Sequence, residues 1–243
     1  MKDFLQDIVQ HTHGLGTIDL AKITGDDKST RINAIAEDRT VILEAEFKSP
    51  IAEFVGTFGM PNLGKLNTIL NIPEYKEGAN ITVSREDRNG ESVPAGIKFE
   101  NKAGDFRNEY RLMAAAVIND KLKAVKFRGV NWNVEINPTA AAIQRLRFQA
   151  SANSEETLFQ VKTEKNNLKI FFGDVSTHGG DFVFQDSVTG TLNKSWYWPV
   201  AAVIAILSLP GDKTMRISDE GATKITVDSG IAVYDYILPA QTK

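Results

Sequence analysis

The chain has 243 residues and is mildly acidic, with 28 Lys and Arg against 31 Asp and Glu. This balance neither advertises nor excludes contact with nucleic acid, because the placement of the cations matters more than their sum. The absence of cysteine removes disulfides, thiolate nucleophiles and cysteine zinc sites, and the length suffices for one large or two ordinary domains.

The opening MKDFLQDIVQ is amphipathic and acidic, unlike a signal peptide, and the longest apolar run, 199–209, is too short to span a bilayer, so no membrane partner is expected. Residues 2–13 set Phe4, Leu5, Ile8 and Val9 at helical spacing with Lys2, Gln6, Gln10 and His13 opposite, which predicts an amphipathic helix. From Thr17 the period changes to that of a strand. Ile18 and Leu20, then Ile32, Ala34 and Ala36, then Val41, Leu43, Ala45 and Phe47 alternate with polar residues. Another strand is expected at 51–58, and Pro61 suits the first turn of a helix running to about Asn71 and stopping before Pro73. Further strands are expected at 80–85, 96–101 and 106–113. The stretch 114–130 mixes Val117, Ile118, Leu122, Val125 and Phe127 with Lys121, Lys123, Lys126 and Arg128, and reads as a connector with apolar anchors.

The order then begins again. A strand at 132–136 leads through Asn137, a natural cap, into a helix opening at Pro138 with Ala142, Ile143, Leu146 and Ala150 as its apolar stripe. Strands follow at 157–163, 168–172, 182–185 and 191–196, then a helix at 199–209, then strands at 214–218, 223–227 and 231–238. Helix, strands, helix, strands thus occurs twice at comparable spacing, which a duplicated domain explains most simply. The expected class is α+β: domains at 1–113 and 131–243 joined by the connector 114–130, each with antiparallel strands and two helices on one face.

One stretch looks like chemistry. Gly59-Met60-Pro61-Asn62-Leu63-Gly64-Lys65-Leu66 is one residue short of a phosphate-binding loop, with Leu66 where a Mg²⁺-binding hydroxyl should stand, and the surrounding strands read as antiparallel rather than βαβ. Asp174, His178 and Asp181 form the only tempting metal group, in a loop whose Gly, Ser and Asp are also ordinary turn residues. No GxSxG-type elbow supports a serine nucleophile.

At the C-terminal end, Met215-Arg216-Ile217-Ser218-Asp219-Glu220-Gly221, then Lys224-Ile225-Thr226-Val227-Asp228-Ser229-Gly230, then 234–239 resemble the closing hairpin region of a DNA polymerase sliding clamp of tailed phages. The twice-repeated plan resembles those clamps and proliferating cell nuclear antigen (PCNA). The resemblance implies a homotrimeric head-to-tail ring around duplex DNA, with sheets outside and helices lining the hole. It implies a processivity factor without catalysis, metal or cofactor, acting in the cytoplasm of an infected bacterial host. Its expected partners are a replicative DNA polymerase and a clamp loader, each inserting a short peptide into an apolar groove beside the connector.

On that expectation Lys65, lying opposite Leu63, Leu66, Ile69 and Leu70, faces DNA, and so do Lys2, Arg145 and Arg147. Lys194 and Lys213 flank the uncharged 199–209 helix, which is apolar on nearly every side and reads as packed core. Gln6, Gln10, Asn67 and Gln144 complete a sparse lining, to which Asp3 and Asp7 add negative charge. The groove is expected to use Val117, Ile118, Leu122 and Val125 with Tyr234, Ile237, Leu238 and Pro239. Edge strands at 106–113 and 182–185 are expected to pair between subunits, which removes exposed edges. Two alternatives stay open, an NTPase centred on 59–65 and a structural phage protein that uses the same plan for assembly.

Overall fold

The computed structural model describes residues 1–243 apart from 89, 124–126, 175, 177 and 243. Its contacts divide the chain into two units, Met1–Lys126 with Ser229–Tyr234, and Phe127–Asp228 with Asp235–Lys243. The first carries α1 (Lys2–His11), β1 (Leu20–Gly25), β2 (Thr30–Ile35), β3 (Ile42–Phe47), β4 (Gly56–Pro61), α2 (Leu63–Leu70), β5 (Asn80–Arg88), β6 (Glu91–Glu100), β7 (Arg107–Arg111), β8 (Met113–Ala114) and α3 (Ala115–Lys121). The second carries β9 (Val134–Ile136), α4 (Ala140–Ala152), β10 (Leu158–Glu164), β11 (Asn167–Gly173), β12 (Gly179–Gln185), β13 (Trp196–Pro199), α5 (Val200–Leu207), β14 (Asp212–Ser218) and β15 (Ala222–Asp228). The last strand, β16 (Ala232–Pro239), opens in the first unit and closes in the second.

The repeat is visible in the strand order. In the first unit the fourth strand lies beside the first, giving β4-β1-β2-β3; the second unit has the same arrangement in β13-β10-β11-β12. Period-two alternation makes these strands what they are. In β2, Thr30, Ile32 and Ala34 are buried while Arg31 and Asn33 face water. β3 is continued by the opening residues of β16, and Lys48 N donates to Ile231 O at 3.0 Å where they meet. β8 lies beyond β4, and β5-β6-β7 form a separate sheet. In the second unit the close of β16 leads to β15, β14 and β9.

The helices pack in pairs, α1 with α2 and α4 with α5. Leu5, Ile8 and Val9 of α1 and Leu63, Leu66, Ile69 and Leu70 of α2 are buried, as are Ala142, Ile143 and Leu146 of α4 and Val203, Ile206 and Leu207 of α5. These are stripes at helical spacing, each side chain contributing about 1.5–3 kcal/mol of burial where it is large and apolar.

Of the three prolines expected to open helices, Pro61 and Pro199 end strands instead, and Pro138 lies just before α4. Pro61 stands opposite Leu20 at the close of β4, and Pro199 opposite Leu158 at the close of β13. A last ladder position can do without an N–H, which the helix-start rule shares as its reason for tolerating proline. Asn62 then turns the chain at φ 54°, and its side chain accepts from Lys65 N at 3.1 Å to cap α2. α4 is capped by Thr139, which accepts from Ala142 N at 3.1 Å, not by Asn137, which accepts from the Thr214 hydroxyl at 3.0 Å. The expected connector begins as the helix α3, which seats fully buried Ile118. The strand expected at 191–196 lies at Trp196–Pro199.

Candidate nucleic-acid interface and partner groove

The outward face of α1 presents Asp3, Gln6 and Gln10. Lys2 is not a free cation: its Nζ donates to Tyr75 O at 2.6 Å and Lys76 O at 3.1 Å, clasping the helix start to the turn that follows α2. Asp7 does not face outward either. Its carboxylate is buried and accepts from the Tyr234 hydroxyl at 2.6 Å and the Ser229 hydroxyl at 3.1 Å. α2 exposes Lys65, Thr68 and Asn71, and Lys65 makes no side-chain hydrogen bond or ion pair among the described residues. Between the helices Gln6, Gln10, Asn67 and Asn71 line a polar furrow of about 460 Å³. Uncharged amides there can meet a phosphate backbone or its water without holding it tightly.

In the second unit α4 exposes Ala141, Gln144, Arg145, Phe148 and Ser151. Arg145 reaches β12: its guanidinium donates to Val183 O at 3.1 Å and lies 5.2 Å over the Phe182 ring. Arg147 is half-buried and donates to the Ser208 hydroxyl at 2.6 Å, tying α4 to the end of α5. Lys194 stands exposed in the loop before β13, while Lys213 is half-buried and donates to Gly211 O at 2.8 Å. Burial lowers the Lys213 pKa from the ordinary lysine value. The helix expected to be core on nearly every side has an open face: Ala201 is exposed, and Ala202, Ile204 and Ala205 are half-exposed. That face, three alanines and an isoleucine, carries no charge.

The near-match to a phosphate loop is a strand and a helix start. Gly59 lies near the close of β4, opposite Lys22 on one side and Met113 on the other. A Cβ there would lie 2.9 Å from Ile118 Cδ1 and 3.0 Å from Met113 Cβ, so the glycine makes room for α3 rather than for phosphate. Gly64 N donates to Asp19 Oδ1 at 3.0 Å. A carboxylate already occupies the donor that a phosphate would need. Among the described residues no cluster of three His, Asp or Glu is placed to hold a metal. Asp181 instead pairs with Lys169 at 3.3 Å, and Glu164 pairs with the same lysine at 3.2 Å. Hydrogen bonds from Lys169 to Glu164 first, then Asp181, raise its pKa above the ordinary value.

The expected partner groove is largely core. Ile118, Tyr234, Ile237 and Leu238 are buried, and Val125 lies outside the described residues. Val117 and Pro239 are exposed and Leu122 is half-buried. The resemblance placed Tyr234, Ile237 and Leu238 at the surface, but they are packed into the core, and of the four only Pro239, the last residue of β16, is exposed. An open groove of about 360 Å³ does exist in the first unit, lined by Leu20, Ile35, Pro61, Met113 and Leu122, with Asp19, Arg39 and Lys121 also at its wall. It runs across the adjacent ends of β8, β4, β1 and β2, and Leu122, just past α3, closes one side. The sequence marks these residues only as strand ends. Which ends lie together is decided by the strand order, which a single sequence does not state.

No family model and no curated protein matches the sequence. Among solved structures, the chain is similar over its whole length to one from the complex of the C-terminal region of FEN-1 bound to A. fulgidus PCNA. The two are 12% identical with a TM-score of 0.72, and 97% of that chain is covered. PCNA from Thermococcus kodakaraensis is also 12% identical, with a TM-score of 0.69 over 98% of this chain and 97% of that one. The duplicated strand order, the paired helices and the match over the full length agree: the chain has the DNA-clamp fold of proliferating cell nuclear antigen.

Proposed function

We propose that the chain is a sliding clamp whose subunits close head to tail into a homotrimeric ring around duplex DNA. The observation that carries this is a pair of open strands. β3, third in its group, is continued by β16, the last strand of the chain. The strand equivalent to β3 in the second group is β12, and the last strand of the β5-β6-β7 sheet is β7; among the described residues each has a neighbour on one side only. Pairing β12 of one copy with β7 of the next repeats between chains what β3 and β16 do within one, and leaves neither edge open. Alternation is compatible with it: an antiparallel register with Tyr110 opposite Phe182 keeps both inward residues together and sets Arg111 beside Asp181.

In this reading 1–113 and 131–243 act as the clamp domains and 114–130 as their connector. DNA is held loosely. Of the cations expected to face DNA, Lys65 and Lys194 are exposed and make no side-chain hydrogen bond among the described residues, while Lys2, Arg145, Arg147 and Lys213 are already bonded to protein oxygens. Sparse contact of this kind is salt-dependent and blind to sequence, and processivity then comes from encirclement. The Leu20–Met113–Leu122 groove takes the apolar anchors of a partner peptide. A PCNA of the same fold has been captured with the C-terminal region of a partner, FEN-1; here the partners are a replicative DNA polymerase and a clamp loader, in the cytoplasm of a phage-infected bacterium, and the clamp catalyses nothing itself.

Glu109→Cys with Val183→Cys tests the pairing in a protein that has no other cysteine. Oxidation is expected to yield covalent trimers; rings oxidised after loading are expected to stay on primed circular DNA, and rings oxidised beforehand to fail to load and to give no processivity. A chain that stays monomeric in light scattering at high concentration and forms no crosslink would sink the ring.

A further inference from the structure

We propose that Arg145 guards the open edge of β12, and that ring closure requires a second copy of the chain to displace it. The inference rests on the ring proposed above and names the residue that regulates its assembly.

An edge strand attracts any other unpaired strand, and native proteins blunt such edges with charge. The main-chain groups at risk can be assigned from the register. Asp174 N donates to His178 O at 3.2 Å, a bonded pair at the mouth of the β11–β12 hairpin. Bonded and unbonded pairs alternate along an antiparallel ladder. The observed register therefore makes Phe172–Gly180 and Ile170–Phe182 bonded pairs, and turns the main-chain groups of Gly179, Asp181 and Val183 away from β11.

Val183 O, one of these outward acceptors, is the atom Arg145 has taken, at 3.1 Å. The guanidinium is held a second time, 5.2 Å over the Phe182 ring. An incoming β7 needs the Val183 carbonyl for its own N–H, so the two occupants exclude one another. Displacement is assisted by what surrounds the site. Phe148, one turn along α4 from Arg145, is 63% exposed, and Phe106, just before β7, is 41% exposed. Covering either aromatic offsets the release of the arginine from its acceptor and ring. The outward charges of the incoming strand are Arg107, Glu109 and Arg111, of which Arg111 already pairs with Glu86 and Glu109, and the register above brings Arg111 beside Asp181, the exposed charge on β12.

Sedimentation equilibrium of the wild type, Arg145→Ala and Arg145→Lys tests this, with the Glu109→Cys and Val183→Cys pair introduced into each as a second readout. Arg145→Ala is expected to assemble roughly fivefold to tenfold more tightly per interface, since a competing charge-assisted hydrogen bond is removed, and to crosslink faster. Arg145→Lys is expected to fall between the two. Should the alanine variant lose helix by circular dichroism, Arg145→Met keeps an apolar stem over Phe182 without the donor, and the same tightening is expected. If the wild type forms trimers and the neutral variants assemble equally or less tightly, the guard is wrong and the ring stands. If wild type and variants alike remain monomeric without crosslinks, the ring is wrong and the guard falls with it.

Discussion

The Tyr234 hydroxyl donates to Asp7 Oδ2 at 2.6 Å, joining α1 to the opening of β16 inside the first unit. The same carboxylate accepts from Ser229 at 3.1 Å, and the His11 ring stacks on Tyr234 with centroids 4.4 Å apart. Removing only the hydroxyl, in Tyr234→Phe, keeps the ring stack and leaves a buried carboxylate short of a donor. A destabilisation of about 1.5–3 kcal/mol is expected, the range for hydrogen bonds to charged groups. Thermal and urea unfolding measure it.

Gly59→Ala separates packing from phosphate binding. The added methyl meets Ile118 and Met113 at about van der Waals overlap, so a destabilisation of about 1–3 kcal/mol is expected without any effect on nucleotide affinity. Calorimetry with ATP and Mg²⁺ is expected to show no binding in either protein. Binding by the wild type that Lys65→Ala abolishes would restore the NTPase alternative.

Lys65→Gln removes an exposed charge that holds no hydrogen-bond or ion-pair partner among the described residues. Its melting temperature is expected to match the wild type. Its affinity for duplex DNA is expected to fall, and the slope of log K against log salt to become shallower by about 0.9 for each phosphate no longer neutralised. A titration at several salt concentrations decides this, and an unchanged slope would remove Lys65 from the interface.

Leu122→Asp places a charge in the groove wall beside Met113 and Leu20. Leu122 is half-exposed, so the fold is expected to survive while polymerase stimulation and peptide binding drop tenfold or more. Val117→Asp serves as the comparison. That side chain is exposed and stands outside the groove wall, and its replacement is expected to leave partner binding near the wild-type level.

Asp219 organises the approach to β13. Its carboxylate accepts from Asn193 N, Lys194 N and the Asn193 amide at 2.9–3.1 Å. Burial raises its pKa, but these donors together with the Lys194 charge outweigh burial and hold it below the usual 3.8. A depressed folded value means that the stabilisation is present above the unfolded pKa and is lost as pH falls through the folded one. Melting temperature is therefore expected to decline below about pH 4, and Asp219→Asn to show a shallower acid-side decline over the same window.

Much of the fold was legible because burial leaves a period. The alternation Ile32, Ala34 and the helical spacing of Leu63, Leu66, Ile69 and Leu70 each mark the covered face, and the structure buries all of them. The duplicated order was legible for the same reason, repeated. Boundaries set by single backbone choices were less so: Pro61 and Pro199 satisfy the rules for a helix start and a strand end equally well, and the neighbouring strand decided between them. Cations were the least legible. Lys2, Arg145 and Arg147 carry the right charge on helices, but where a long side chain ends depends on which acceptor lies within reach, and those acceptors, Tyr75 O, Val183 O and the Ser208 hydroxyl, are distant in sequence. The groove failed similarly, since Leu20, Pro61 and Met113 meet only through the strand order.

The continuation of β3 by β16 also sets a timetable for the nascent chain. On the ribosome β1 to β4 emerge early, yet the strand that covers β3 is made only after β15. Until residues 229–234 appear, β3 presents an unpaired edge, and joining the two strands costs the entropy of closing a very long loop. Synthesis stalled after β15 would release a polypeptide complete in most of its core but open along β3, a template for strand addition by other nascent copies. Chaperone capture during translation is thus expected to persist until β16 is made, well after the helices of both units have formed.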